Sequence, residues 1–539
     1  MMSTRTQSLK SVQRAYLVGR QPDTVLGGVS THGYFEFTTP RLDPGQLHQA
    51  INKAISLHDA LRTVVYSDRV EVLEDVPSFP LAIHDLRCLP DEQANAELTT
   101  LRETQSTLVR PCSQWPLFGI TLVILDQETR VLVDVDGLTL DLASVHLLLA
   151  EITGSVEAGL DLAPGSNSTP SSRSRAYWAQ ILPELPPAPR LPLVCHPADI
   201  SGTCFTSRTH FLTTDHWHTA MATGRRHGLT PSGLALTLFA ETLYRATGQN
   251  RFSLVVPLNR RPRQAPCAIG AFSNFLPVGF DWSALTLAER GRDAQRQLLV
   301  AAMHGDVDGP ELLGSLMRSH HRAEGGLLPV VFTSGIGLAP ASMPDNWCLA
   351  ELRSQTAGIW LDGQVTEIPQ GLMIHWDSVD DVVGTDRADE LFAVHVELWT
   401  NLIDGLTDLT RPLGDTPHYD SGWEPLVVPA TAVEQVLCIA WSTATGIWPM
   451  GTHDDLLARG ANPSTAKLAA NWLTDWFGFP LVTAADLAVG TTVSAIAAEL
   501  TQRHPNLPQF AELSLIAAHE SGQVVPSTVP SITRQFHTP

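Results

Sequence analysis

At 539 residues the chain exceeds what one hydrophobic core ordinarily organises, and it reads as roughly two to four domains. Hydrophobic residues make up 43% and charged residues 17%, the balance of a globular chain rather than a disordered one. A formal net charge of -21 excludes the basic footprint that nucleic-acid phosphates require, and no apolar run is long enough to span a membrane.

The amino-terminal MMSTRTQSLKSVQ has no apolar signal core, and residues 1–9 read as a loose polar tail. The seven cysteines are odd in number and scattered, with no metal-ligand spacing. A reducing, cytoplasmic compartment follows, without a metal site. Leu47, Ile51, Ala54, Ile55 and His58 recur at helical spacing and lead into a β-branched run. GITLVIL and VLVDVD flank the polar DQETR and predict a hairpin. Leu142, Val145, Leu149 and Ile152 predict a helix with one buried face. A Ser/Pro-rich loop follows at 163–175. The proline-rich 183–193 is a stiff extended connector, because each proline fixes its own backbone. It divides the first part of the chain into halves at about 10–182 and 194–410.

The second half repeats the style of the first, with a helix opening near Pro231 and strands in RFSLVVPL, LLPVVFTSGIG and GLMIHWDSV. Residues 411–430 read as a linker, 431–503 as a small helix-rich unit, and 504–539 as a disordered tail.

VDVDGLTLDLASVHLL, at 133–148, sets Asp134, Asp136 and Asp141 between a valine-rich strand and a leucine-rich helix. A carboxylate there needs a partner or a task. The pattern Asp136-x-x-x-x-Asp141-x-x-Ser144 puts Asp141 and Ser144 on one helical face, where they serve either a reaction or helix capping. A calcium loop does not fit, because Leu138, Leu140 and Leu142 intervene. Thr333 ends an apolar strand and Asp362 follows IWL. A buried Thr–Asp pair can position a hydroxyl and a carboxyl for proton transfer, whereas singly they read as a strand threonine and a turn acid. No phosphate loop, zinc spacing or nucleophile elbow is present.

SVQRAYLVGR, LHDALRTVV, WPLFGITLVIL, DGLTLDLAS, VVPLNRRPR, GAFSNFLPV, PVVFTS and SQTAGIWLDGQ, in that order over about residues 10–400, resemble the heterocyclization domains of nonribosomal peptide synthetases. These belong to the condensation-domain superfamily. The Asp-x-x-x-x-Asp-x-x-Ser pattern stands where ordinary condensation domains carry paired histidines. His320 and His321 resemble such a pair, but Gly325 replaces its acid and they fall in the wrong half, so they read as loop histidines.

The resemblance implies an α/β fold of two chloramphenicol-acetyltransferase-like lobes in a V. It implies substrates delivered on the phosphopantetheine arms of donor and acceptor carrier proteins, with no permanently bound cofactor. It implies amide formation followed by cyclodehydration of a Cys, Ser or Thr acceptor to a thiazoline or oxazoline. Asp362 maps to the general acid/base and Thr333 to its hydrogen-bonding partner. Asp136, Asp141 and Ser144 line or brace the tunnel, with Asp141 nearer the reaction. Ser334, Gln355, Trp360 and Gln364 map to the tunnel wall. Departures at Ala357, Gly358, Ile359, Gly363 and the GAFSN stretch imply a smaller-lined tunnel near Asp362.

The 431–503 unit resembles a peptidyl carrier domain, followed from THDDLLARGANPSTAKLAANWLTDWFG. Pro463 takes the serine slot and Ala461 replaces a glycine, which implies a degenerate carrier with Ser464 as fallback attachment point. No adenylation domain fits in the chain, so the resemblance implies a free-standing heterocyclase that works in trans with a separate adenylation domain. Amide formation without cyclization, or a non-catalytic docking role, are the alternatives.

Overall fold

A computed structural model describes residues 4–155, 170–191, 193–195, 197–262, 265–319, 328–338, 344, 346–411, 427, 429–445, 450–457, 459, 461–480, 482–487 and 492–520. The strands in chain order are β1 (Thr4–Ser8), β2 (His32–Thr39), β3 (Thr63–Val65), β4 (Arg69–Leu73), β5 (Ala82–Asp85), β6 (Phe118–Ile124) and β7 (Thr129–Asp136). They continue with β8 (Thr206–Thr213), β9 (Arg251–Asn259), β10 (Ser273–Asp281), β11 (Val330–Gly335), β12 (Cys348–Gln355), β13 (Leu361–Ile368) and β14 (Gly371–Ser378). Two main sheets result, β12-β2-β7-β6-β5 and β10-β9-β11-β13-β14-β8, beside a small β1-β4-β3 sheet.

The predicted hairpin is β6–β7, antiparallel with Ile120 opposite Val133. Helices Pro44–Leu57 and Leu142–Ile152 set Leu47, Ile51, Ala54, Val145, Leu149 and Ile152 against this first sheet. β7 is buried at nearly every position, which is why its sequence runs Val-Leu-Val rather than alternating. In the second half, helix Pro231–Thr247 starts with Pro231 in its first turn, where the missing N–H costs nothing, and Thr230 caps it. Its Leu238, Phe239 and Leu243 pack with Leu361, Val365, Leu372 and Trp376 in the larger core.

Three expectations are corrected and a fourth is extended. Thr4–Ser8 is not a loose tail but pairs with β4. The connector is extended as expected, and it is also buried: Leu185, Ala188 and Leu191 are sealed from water, and Pro187 O accepts from Ser253 N at 2.8 Å. The cut at 183–193 does not separate the lobes cleanly, because β12 from the second half completes the first sheet, with Arg353 opposite Tyr34 on β2. That crossing covers an edge of β2 that would otherwise present unpaired backbone groups. Finally, 504–539 is not disordered throughout. Helix Leu507–Glu520 buries Leu507, Ala511 and Leu515, one face at i, i+4, i+8, against helix Ala432–Thr445.

With helices Pro463–Phe477 and Val493–Arg503, these two form a carboxy-terminal bundle around Val436, Trp441, Leu473, Ile496 and Leu500. Arg190 of the connector ion-pairs with Asp454 of this unit, which also meets Arg459 at 3.4 Å, and all three are buried. His320, His321, residues 163–169, residues 521–539 and most of the 411–430 linker lie outside the described residues.

Candidate active site

A cavity of about 170 Å³ lies where the two halves meet. Lys10, Tyr16, His32 and Asp141 face it from the first half, Ala271, Thr333, Asp362 and Gln364 from the second, and Ser354 from the crossing strand β12.

Strand alternation decides which β13 residues enter it. Asp362 and Gln364 line the cavity, while Leu361 and Val365 point into the opposite core. Gly363 shares their face, where a Cβ would run into the Phe239 ring. The expected smaller lining at Gly363 is therefore corrected: that glycine makes room for the core, not for substrate. Ala357 likewise lies against Gly19, and Gly358 adopts φ 76°, a turn conformation that favours glycine.

β11 runs parallel to β13, with Val331 beside Asp362 and Thr333 beside Gln364. Thr333 Oγ1 thereby donates to Asp362 Oδ1 at 3.0 Å. Burial pushes the Asp362 carboxyl up to about 7, with the charge of Asp377 adding to the rise and Thr333 and His375 opposing it. Asp377 lies directly opposite on β14. Gln364 Nε2 sits 3.1 Å from an oxygen of each acid and 2.7 Å from Ser354 Oγ.

Asp141 caps helix Leu142–Ile152 and joins the halves. Its Oδ1 accepts from Ser144 N at 2.8 Å and from Arg261 Nη2 at 2.8 Å, and its Oδ2 accepts from Phe272 N at 3.1 Å. Ser144 Oγ lies 2.7 Å from Asp141 Oδ1 and accepts from Arg261 Nη2 at 2.7 Å and Gly270 N at 2.9 Å. Asp136 does not line the cavity; it pairs with Arg20 and accepts from Leu138 N at 3.0 Å. Asp134 pairs with Arg110. The three acids of 133–148 are thus each held by an arginine distant in sequence, and only Asp141 also faces the cavity.

The rest of the wall is poor in mobile charge. Burial pushes His32 down to about 4, and its Nε2 lies 2.9 Å from Gln105 O, so the ring is neutral. Burial also lowers Lys10, which donates to Ala271 O at 2.8 Å, and raises the Tyr16 phenol. Among the described residues no His/Cys/Asp/Glu group is arranged for a metal ion, and no helix is long and apolar enough to cross a membrane.

Thr333, Asp362, Gln364 and Asp141 are thus brought to one cavity, with Ser144 directly behind. Three expected wall residues lie elsewhere. Ser334 Oγ bonds Ser232 Oγ at 2.9 Å. Gln355 is buried, its Nε2 without a partner among the described residues. Trp360 packs with Leu26, Leu193 and Val379. Alternation is again the reason for the first two, since Thr333 and Ser354 take the inward positions next to them. Sequence reasoning missed Lys10, Arg261, Ser354 and the His375–Asp377 pair. The last was detectable: two polar side chains two apart in the apolar GLMIHWDSV pose the same question as the acids of 133–148.

A family model described as "Condensation domain" matches residues 4–335. The phenyloxazoline synthase MbtB of Mycolicibacterium paratuberculosis is 30% identical over 426 residues, which cover 73% of this chain and 36% of that protein. The pyochelin synthetase PchE of Pseudomonas aeruginosa is 29% identical over 419 residues, 74% of this chain and 29% of that protein. The chain therefore spans about a third of the length of these curated relatives. Among solved structures, the EpoB cyclization-docking bidomain of Sorangium cellulosum superposes with a TM-score of 0.66 at 26% identity, over 74% of this chain and 84% of that one. The first condensation domain of the calcium-dependent antibiotic synthetase, at 16% identity and a TM-score of 0.60, shares the fold. With two α/β halves enclosing one cavity and a family model matched over residues 4–335, the chain belongs to the condensation-domain family of nonribosomal peptide synthetases, as a domain of the heterocyclization type.

Proposed function

We propose that the protein joins a carrier-bound acyl or aminoacyl thioester to a carrier-bound Cys, Ser or Thr and then cyclodehydrates the product to a thiazoline or oxazoline. The observation that carries this reading is the Thr333–Asp362 pair, held at 3.0 Å on the cavity wall with its carboxyl near 7. The names of the relatives, an oxazoline synthase and a cyclization domain, support the same chemistry.

Amide formation from a thioester is downhill and needs chiefly alignment, which an enclosed cavity reached by two carrier arms supplies. The acceptor side chain then adds to the new amide carbonyl, giving a ring carbon that bears a hydroxyl. Asp362, protonated, donates to that hydroxyl; the C–O bond breaks, water leaves, and the ring nitrogen returns its proton to the Asp362 carboxylate as C=N forms. Thr333 fixes the carboxyl and Gln364 steadies its other oxygen. Asp141 and Ser144 hold the halves in register around the cavity rather than taking part in proton transfer.

Substrates arrive on the phosphopantetheine arms of donor and acceptor carrier proteins, loaded by a separate adenylation domain, with the protein acting in trans in the cytoplasm. The carboxy-terminal bundle is carrier-like but degenerate. Helix Pro463–Phe477 begins with Pro463 behind an Asn462 cap, so a ring without a hydroxyl occupies the first helical position and Ser464 is exposed one residue later.

The test is incubation with loaded donor and cysteinyl carriers followed by weighing of the released product. A mass lower than the linear amide by one water supports heterocyclization. A linear product would leave amide formation alone as the activity, and no product would leave a docking role.

A further inference from the structure

We infer that Asp377 is a positioning residue, the permanent anion of a buried carboxylate pair, which keeps the exchangeable proton on Asp362. The inference rests on the proposed role of Asp362 as proton donor.

Asp362 and Asp377 are cross-strand neighbours, and one amide, Gln364 Nε2, lies 3.1 Å from both. Ionising the second of two carboxylates this close in a water-poor site is costly, so one of them holds its proton to higher pH than a lone carboxyl does. Hydrogen-bond donors decide which. Asp377 accepts from Ser354 N at 2.9 Å, Ser354 Oγ at 2.7 Å, Gln364 Nε2 and Ser207 Oγ, and His375 Nε2 lies 2.9 Å away. Among the described residues, Asp362 receives only Thr333 Oγ1 and Gln364 Nε2. Donors favour the charged form of the acid they surround, so the charge settles on Asp377 and the proton on Asp362. Asp377 is also 1% exposed and off the cavity wall, so it cannot touch substrate, whereas Asp362 can. His375, fully buried on the same strand, has Nδ1 2.8 Å from Thr209 Oγ1, which fixes its ring against Asp377.

The other titratable and charged groups leave this assignment in place. Lys10, Tyr16, His32 and Asp141 face Asp362 from across the cavity. From β8, Arg208 turns away to Asp380 and Asp389, leaving Ser207 for Asp377. The raised carboxyl of Asp362 agrees, since the charge of Asp377 is its second cause after burial.

Without the Asp377 charge, Asp362 ionises at lower pH. A proton donor works below its own pKa, so Asp377→Asn moves the alkaline limb of ring formation downward by about one pH unit, an approximately tenfold loss above neutrality. The ratio of cyclic to linear product, measured with loaded carriers from pH 5 to 9 on the full chain, reads this directly. Recovery of that ratio near pH 5 to the wild-type value is the expected signature, because a merely structural defect does not reverse on acidification. Should Asp377→Asn fail to fold, Asp377→Ser removes the same charge with a smaller side chain and is expected to move the limb in the same direction. A limb that stays in place in every variant that folds overturns the inference. If Asp362→Asn itself leaves ring formation intact, the proposed function fails first; if Asp362→Asn abolishes it and the limb does not move, only this inference does.

Discussion

Asp362 is a carboxylic acid at the end of a parallel strand pair, and burial pushes its carboxyl up to about 7, the range the proposed proton donor needs. Asn at this position keeps the shape and cannot exchange a proton. Asp362→Asn is expected to lower ring formation by about 10²–10⁴-fold while linear amide persists, as read by product mass. Thr333→Ala changes the ratio in the same direction but less, since it removes one hydrogen bond and no titrating group. That hydrogen bond favours the ionised form, so losing it raises the carboxyl further. For the wild type, dehydration weakens as pH rises through about 7, because the donor form of Asp362 is present below that value and lost above it. Equal losses of linear and cyclic product in Asp362→Asn would instead make this residue a binding or folding element. At this scale Asp362 and Thr333 were legible in the sequence only through the motifs around them. Asp377 could be noticed there only as a polar residue in an apolar strand; its place opposite Asp362 comes from the register of β14 on β13, which no local pattern specifies.

At the scale of elements, helices and hairpins followed from periodicity, and the outcome at each position followed from which face a residue took. β13 shows the difference: Asp362 and Gln364 line the cavity, while Gly363 between them faces the core. A side chain there meets Phe239, so Gly363→Leu is expected to destabilise the second half by about 1–3 kcal/mol, measurable by denaturant titration. Residues 261–262 and 265–272 and helix Leu142–Ile152 form the corresponding device between the halves. Arg261 and Asp141 are both nearly sealed from water, and the guanidinium also lies 4.8 Å over the Phe272 ring. Arg261→Ala leaves Asp141 buried without its cation, at an expected cost of about 3–5 kcal/mol, and unfolding should begin by parting the two halves. Asp141 was readable as a cap from spacing; its inter-half partner, 120 residues away in sequence, was not.

At the scale of the whole molecule, the halves are interlocked by strand β12, and the carboxy-terminal bundle is tied to the connector through Arg190, Asp454 and Arg459. Asp454→Ala leaves two buried guanidinium groups facing each other, so limited proteolysis should release the bundle faster from this variant than from the wild type. The bundle's first helical position supports a second expectation. A phosphopantetheinyl transferase with coenzyme A should leave the intact mass unchanged, and a gain of one phosphopantetheine lost in Ser464→Ala would make Ser464 a working attachment point. Leu468 is 49% exposed, so the packing of helix Pro463–Phe477 relies on Ala466, Ala469, Ala470 and Leu473 instead.

The amino-acid sequence by itself determined the α/β class, the helices with one apolar face, the β6–β7 hairpin and the residues of the Thr–Asp pair. These depend on neighbours within a few positions, or on motifs whose order survives in the chain. Only the tertiary structure decided that β12 crosses to the first sheet, that residues 507–520 close a bundle, and that Gln355 and Trp360 leave the cavity. It also decided that Asp377 faces Asp362. Each of these depends on what a distant segment places opposite, through strand register, donor count and exclusion of water, and such terms have no period along the chain.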